Sequence, residues 1–244
     1  MSSDSVEGIQ EVYAYASNLA IKGHIMKNAR IAGIFYLITF VTSIPAVFLL
    51  DPVLHNQNFV TGSGSSTSVL WGCLLDLLNA VACVGTAVAI YPVVQKFNKS
   101  LALGFVASRL FEAAIIMIGI ASLLAIVSLR TEFLSAPSPD TSNLALVSSG
   151  LLHLRNWTFL LGPGLVPAIN AALLGTLLFT SKLVPRLISI TGLIGAPLLL
   201  ASAICTYFGI FDQMSPFAAV LGLPIAAWEL SLGFYLAFRG VRQN

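Results

Sequence analysis

Six long apolar runs, separated by short polar segments, dominate the chain: 31–50, 69–94, 101–129, one lying within 144–180, 187–210 and 217–238. A helix needs roughly 20 apolar residues to cross a hydrocarbon layer about 30 Å thick. Inside that layer every backbone N–H and C=O must find its partner within the protein, so only helices and closed barrels span it. The runs are continuous rather than alternating, which selects helices. The expected fold is therefore all-α, a polytopic bundle of six transmembrane helices. Composition agrees. Of the 244 residues 57% are hydrophobic and 9% charged, against about 25% charged in an ordinary soluble domain. Mean hydropathy is +0.90. Such a chain is not a soluble enzyme, a nucleic-acid binder or a disordered segment.

The basic residues give an orientation. Lys22, Lys27 and Arg30 precede the first run, Lys96 and Lys99 lie between the second and third, Lys182 and Arg186 between the fourth and fifth, and Arg239 and Arg242 follow the sixth. These are nine of the 12 Lys and Arg, all on one side of a six-helix chain. The other side has Arg130, in the company of Asp51, Glu132, Asp140 and Asp212. Basic residues concentrate on the cytoplasmic face of membrane proteins, so both termini are expected in the cytoplasm. A seventh helix would break the alternation. The first 20 residues hold Asp4, Glu7 and Glu11 and no basic residue, unlike a secretory signal. The first spanning helix is expected to serve as its own uncleaved insertion signal.

Residues 1–25 form an N-terminal extension to a transmembrane domain over 26–244. In it Ile9, Val12, Tyr13, Ala16, Leu19 and Ala20 recur at helical spacing, the pattern of an amphipathic helix lying on the inner membrane surface. Met26-Lys27 offers a second translation start. On the outer side, the Gly/Ser-rich stretch ending in 61–68 reads as a flexible solvated linker, and 131–143, with Pro137 and Pro139, as an irregular loop. The inner connections are short, so the second and third helices, and the fourth and fifth, should form antiparallel hairpins.

Polar groups inside a membrane are costly and mark candidate sites. They are Asp76 and Asn79 in the second run, Arg109 and Glu112 in the third, Asn170 in the fourth and Glu229 in the sixth, with His153 and Arg155 near the outer start of the fourth. Arg109 and Glu112 are three residues apart and share a helix face. At 1.5 Å per residue, Arg109 and Glu229 both lie roughly 12 to 13 Å from the inner end of their helices. Arg109 between Glu112 and Glu229 would compensate charge with fork geometry. Two readings stand side by side: a structural ion pair locking the third and sixth runs together, or a polar cavity floor for a ligand head group or a proton. Asp76 sits at a depth that Arg155 can match, although Arg155 could instead reach out to the interface beside Trp157.

The fourth run carries a breaker, Leu161-Gly-Pro-Gly-Leu-Val-Pro167. It predicts a kink or interruption between Gly162 and Pro167, facing the bundle interior, because freed carbonyls are too costly against lipid. Such breaks line binding sites in transporters, and plain proline kinks are also common in membrane helices. Cys73, Cys83 and Cys205 lie in apolar runs and read as small core residues. No lysine lies within a span, which excludes a retinal Schiff base. His24, His55 and His153 fall at separate places, so neither a haem nor a zinc site is expected. No HExxH, GxSxG or Walker sequence is present. No cofactor and no metal are expected. The absence of an inverted repeat between the two halves weighs against a transporter.

Several of these segments have a familiar form: Lys27-Asn-Ala-Arg-Ile-Ala-Gly33, Ser108-Arg-Leu-Phe-Glu-Ala113, Gly175-Thr-Leu-Leu-Phe-Thr-Ser181 with Val184-Pro-Arg-Leu187, and Trp228-Glu-Leu-Ser-Leu-Gly233 with Phe238-Arg-Gly240. Over roughly 26–242 the chain resembles the bacterial domain-of-unknown-function family 4386, six-helix integral membrane proteins. The resemblance implies that Arg109, Glu112, Pro185, Arg186 and Glu229 are characteristic positions, and a location in the cytoplasmic membrane. It implies no substrate and no reaction. The expected function is binding of a lipophilic or amphiphilic small molecule in a polar-floored intramembrane cavity. A small proton-linked transporter comes second and an intramembrane lipid-modifying enzyme third. Expected partners are membrane lipids and that small molecule, without nucleic acid.

Overall fold

The computed structural model describes residues 3–56, 58–135 and 141–242, with side chains from Leu19 onward. Seven helices follow one another: α1 (Ser3–Leu54), α2 (Ser66–Val94), α3 (Lys99–Ser135), α4 (Thr141–Leu161), α5 (Val166–Ser181), α6 (Arg186–Tyr207) and α7 (Pro216–Arg239). No strand occurs among the described residues. By length and apolarity they make six candidate membrane spans, because α4 and α5 are the two parts of one interrupted span.

The helices pack in chain order. α1 lies on α2, α2 on α3, α3 on both α4 and α5, α5 on α6 and α6 on α7, while α7 returns to α1 and closes the ring. The short links 95–98 and 182–185 make α2–α3 and α5–α6 antiparallel neighbours, as their lengths require. Two apolar cores fill the ring. One, toward the C-terminal end of the bundle, holds Tyr36, Phe105, Leu174, Leu177, Trp228 and Leu232. The other, toward the far end, holds Leu50, Phe59, Val69, Leu123 and Ile126. Lipid supplies no hydrophobic force between helices, so close backbone approach has to carry the contact. Gly33 provides it between α1 and α7: a Cβ there would fall on the backbone of Gly233, Leu236 and Ala237.

Three boundaries depart from the sequence reading. α1 is one continuous helix that passes through Asp51-Pro52 to Leu54 rather than ending before them. The amphipathic face expected from Ile9, Val12, Tyr13 and Ala16 falls on side chains outside the described residues. α3 runs through Arg130 to Ser135, and α4 begins at Thr141, so most of the irregular loop expected over 131–143 is helical; Pro137 and Pro139 lie outside the described residues.

The third departure is the stretch read as a flexible linker. Ser66 already opens α2, capped by the Ser65 hydroxyl, which accepts from Ser68 N at 3.2 Å. Ahead of it, Phe59 and Val60 are buried in the far core. Asn56 Nδ2 donates to Ser63 O at 2.7 Å, and Ser68 Oγ to Leu49 O at 2.8 Å. Arg130, buried on α3, donates to the carbonyls of Phe59 and Gly64 and lies 4.8 Å over the Phe59 ring. Arg130 has no carboxylate partner among the described residues; main-chain oxygens take its donors, and in return it pins the loop.

At the C-terminal end, residues from four segments meet. Lys22, Ile25, Met26, Lys96, Phe97, Leu183, Val241 and Arg242 line a small pocket of about 170 Å³. Arg242 N donates to Leu183 O at 2.8 Å, which ties the chain end to the α5–α6 link.

Candidate ligand-binding site

Arg109 is the hub of the bundle. It is 2% exposed, on the face of α3 that carries Phe105, Glu112 and Ile116 inward. Its Nη1 donates to Glu112 Oε2 at 3.0 Å, one turn on, and its Nη2 to Glu229 Oε1 on α7, also at 3.0 Å. Cys83 Sγ on α2 accepts from the same Nη1 at 3.6 Å. The guanidinium plane is covered by the rings of Tyr36 at 5.0 Å and Phe105 at 5.8 Å. Tyr36 in turn meets Trp228 edge-on at 6.3 Å. Asn170, wholly buried on α5, donates its Nδ2 to Glu112 Oε2 at 2.7 Å. The depth match between Arg109, Glu112 and Glu229 is thus a direct contact, and side chains of α1, α2 and α5 complete the cluster.

This cluster floors a chamber of about 240 Å³. All six spans contribute: Thr39, Phe40 and Ser43 from α1, Asn79 and Cys83 from α2, Arg109 and Glu112 from α3, Pro163 and Pro167 around the break, Leu199 from α6, and Gly222, Ile225 and Glu229 from α7. Glu229 retains 15% side-chain exposure and lines this chamber.

A second chamber, about 270 Å³, adjoins it on the far side. Ser43, Asn79 and Pro163 line both. The rest of its wall is Ile44, Val47 and Leu50 of α1, Asp76 of α2, Ile116 and Gly119 of α3, and Arg155, Thr158 and Phe159 of α4. Ile44 is 54% exposed, so the wall on α1 borders the lipid side of the bundle. Arg155 does not reach for the interface. Its Nη2 lies 3.8 Å from Asp76 Oδ2, and its guanidinium lies 4.6 Å from the Phe159 ring. Gly119 leaves the space it crosses: a Cβ there would sit 2.9 Å from Thr158 Oγ1 and 3.2 Å from Arg155 Cδ. Trp157, beside which Arg155 would have stood in the alternative reading, is on the exposed side against Tyr207, ring to ring at 5.6 Å.

The interrupted span explains why two chambers meet here. Gly162 N still donates to Thr158 O, but Gly164 N reaches five residues back to Phe159 O and Leu165 N only three back to Gly162 O, so the regular ladder is interrupted over 163–165 and resumes with Val166 N to Gly162 O. Pro167 has no N–H to give the Pro163 carbonyl. Gly162 is buried, Pro163 lines both chambers and Pro167 lines the central one. The break therefore faces protein and cavity, where unpaired backbone is tolerable, and not lipid.

Of the candidate residues, Arg109, Glu112 and Glu229 form the floor, with Asn170 buried behind it on Glu112; Asp76 and Arg155 make a second pair, and Asn79 stands at the junction. His153 lies on the exposed face of α4 and lines neither chamber. Among the described residues no group of three or more His, Cys, Asp or Glu is placed to hold a metal ion.

A ring of apolar spans around a polar, cavity-bearing interior defines a polytopic helical membrane protein. The chain belongs to the family described as Domain of unknown function (DUF4386), whose model matches residues 31–240. No curated protein and no solved structure matches it.

Proposed function

We propose that this protein binds a lipophilic or amphiphilic small molecule inside the membrane, its polar end on the Arg109–Glu112–Glu229 floor and its apolar part in the adjoining chamber. The observation that carries the reading is the junction. Two chambers of about 240 and 270 Å³ share Ser43, Asn79 and Pro163, and the hydroxyl and amide of Ser43 and Asn79 make no hydrogen bond to described residues. Polar groups at membrane depth normally find partners, so unspent ones lining a cavity favour an occupant. A mostly apolar wall with a few convergent polar groups is the ordinary make-up of a small-molecule site.

The cavity is placed in the bacterial cytoplasmic membrane with both termini inside the cell. The family resemblance and the gathering of Lys22, Lys96 and Arg242 at one end of the bundle support this. A proton-linked transporter is the second reading, favoured by the interrupted span between the two ion-paired clusters.

The test is to purify the protein in mild detergent and identify co-purifying small molecules by native mass spectrometry. The wild type should carry one, and Ser43→Trp, which fills the junction, should fold and lose it. A wild type that carries nothing and gains no thermal stability from any amphiphile would remove the reading.

A further inference from the structure

We propose that the head group received by the central chamber is a protonated amine. The inference rests on the binding reading above and narrows it to one ligand chemistry. It comes from two inventories of the floor, one of charge and one of hydrogen bonds.

The charge inventory does not balance. Arg109 carries one positive charge and faces two carboxylates, Glu112 and Glu229. The other buried pair, Asp76 with Arg155, balances by itself and lies in the neighbouring chamber. Tyr36 and Cys83, the remaining titratable groups against the cluster, add no positive charge. With both glutamates ionised the floor is one negative charge in excess, in a setting where uncompensated charge is expensive. One cation, arriving with the ligand, closes the account.

The hydrogen bonds point the same way. Arg109 is almost spent: Nη1 and Nη2 serve Glu112, Cys83 and Glu229, and its Nε is buried, without a hydrogen-bond partner among the described residues. The rings of Tyr36 and Phe105 also lie against the guanidinium, at 5.0 and 5.8 Å. An anionic head group would thus meet two carboxylates, with only the neutral Ser43 hydroxyl and Asn79 amide as donors beside them. The acceptors, by contrast, are unspent. Glu112 Oε2 takes two bonds and Glu229 Oε1 one, while the second oxygen of each accepts nothing from the described residues. Both residues line the chamber, Glu112 at only 4% exposure. Asn79, whose amide oxygen accepts nothing from the described residues, lines the same chamber. An ammonium has three donors and no acceptor, which complements two carboxylate oxygens and an amide oxygen. A hydroxyl would satisfy one of them and leave the charge.

The experiment compares dodecylamine, dodecanol and dodecanoate at neutral pH, on wild type and Glu229→Gln in nanodiscs of zwitterionic lipid. Native mass spectrometry reads occupancy and thermal unfolding reads stabilisation. Glu229→Gln leaves Arg109 paired with Glu112 and the floor neutral, so the variant is expected to fold. The wild type should prefer the amine over the alcohol by about tenfold or more, as a charge-assisted bond implies, and reject the carboxylate. Glu229→Gln should erase that preference while still taking the alcohol. Equal binding of amine and alcohol by the wild type would mean that a proton, not a ligand cation, neutralises the floor, and would overturn the inference while leaving the binding reading intact. Preference for dodecanoate would overturn it as well. Binding of none of the three, by either protein, would defeat the binding reading itself.

Discussion

Arg109 and Glu229 are 120 residues apart in the chain and 3.0 Å apart in the bundle, and this one contact joins α3 to α7 across the central cavity. Those helices are not neighbours in the ring, which runs from α3 through α5 and α6 to α7. The contact therefore spans the cavity floor rather than a helix–helix seam. A floor of this kind both holds the bundle together and offers charge to whatever enters.

Removing the hub should be far worse than removing the whole cluster. Arg109→Met leaves Glu112 and Glu229 buried without a counter-ion, and breaking a buried pair in this way destabilises by about 3–5 kcal/mol. The triple variant Arg109→Met, Glu112→Gln, Glu229→Gln leaves no charge and should recover most of that loss. Thermal unfolding in detergent reads both. A triple variant as unstable as the single one would show that the cluster stabilises by more than mutual charge compensation.

Arg130 makes a different forecast. Its two bonds to the Phe59 and Gly64 carbonyls hold the α1–α2 connection over the far core. Arg130→Met keeps the side-chain bulk and loses both donors, at a cost of about 1.5–3 kcal/mol for bonds from a charged group. The local effect should exceed the global one. Amide exchange and limited proteolysis should speed up within 58–65 and hardly change in α5 or α7. Uniform loosening would refute the clasp.

How much of this was readable beforehand follows from the physics of each feature. The six spans were plain because bilayer thickness sets their length. The Arg109, Glu112 and Glu229 contact was legible because helical rise turns sequence position into depth, and depth limits who can meet. The break at 162–165 was legible from its glycines and prolines. Asn170 was seen as polar but not as a partner of Glu112, since the register of α5 relative to α3 is lost on passing through the break. Arg130 was misjudged as an outer boundary residue. Its partners are carbonyls, which carry no sequence signature; the apolar pair Phe59-Val60 inside a polar loop was the available clue that the loop is anchored. The packing of Trp157 on Tyr207, in place of a shared interface with Arg155, needed the angle of α4, which no spacing encodes.

Orientation is open to a direct measurement. Reporter fusions after Arg242 and near Lys99 should read cytoplasmic, and one near Ser65 external, because nine of the 12 basic residues fall on one side of the six spans. An external C-terminus would move the Arg109–Glu112–Glu229 floor from the inner to the outer half of the membrane, without altering its geometry.

The break in the fourth span should control access to the cavity. Pro163→Ala with Pro167→Ala restores an N–H at position 167 that can reach the carbonyl of residue 163, and removes the ring that keeps α4 from continuing into α5. A straighter span would carry backbone into the junction now bounded by Ser43 and Asn79. Ser43→Cys, in a background where Cys73, Cys83 and Cys205 are replaced by alanine, reports this space through its reaction with a small polar thiol reagent. With the prolines present the thiol should label readily. With both replaced, labelling should slow by about tenfold, which corresponds to about 1.4 kcal/mol in favour of the closed junction. The fold should survive, because Gly162 and Gly164 remain and the apolar face of α5, with Leu174, Leu177 and Leu178, still packs in the core. Unchanged labelling in a folded double variant would mean that the glycines alone set the break, and that the prolines do not gate the cavity.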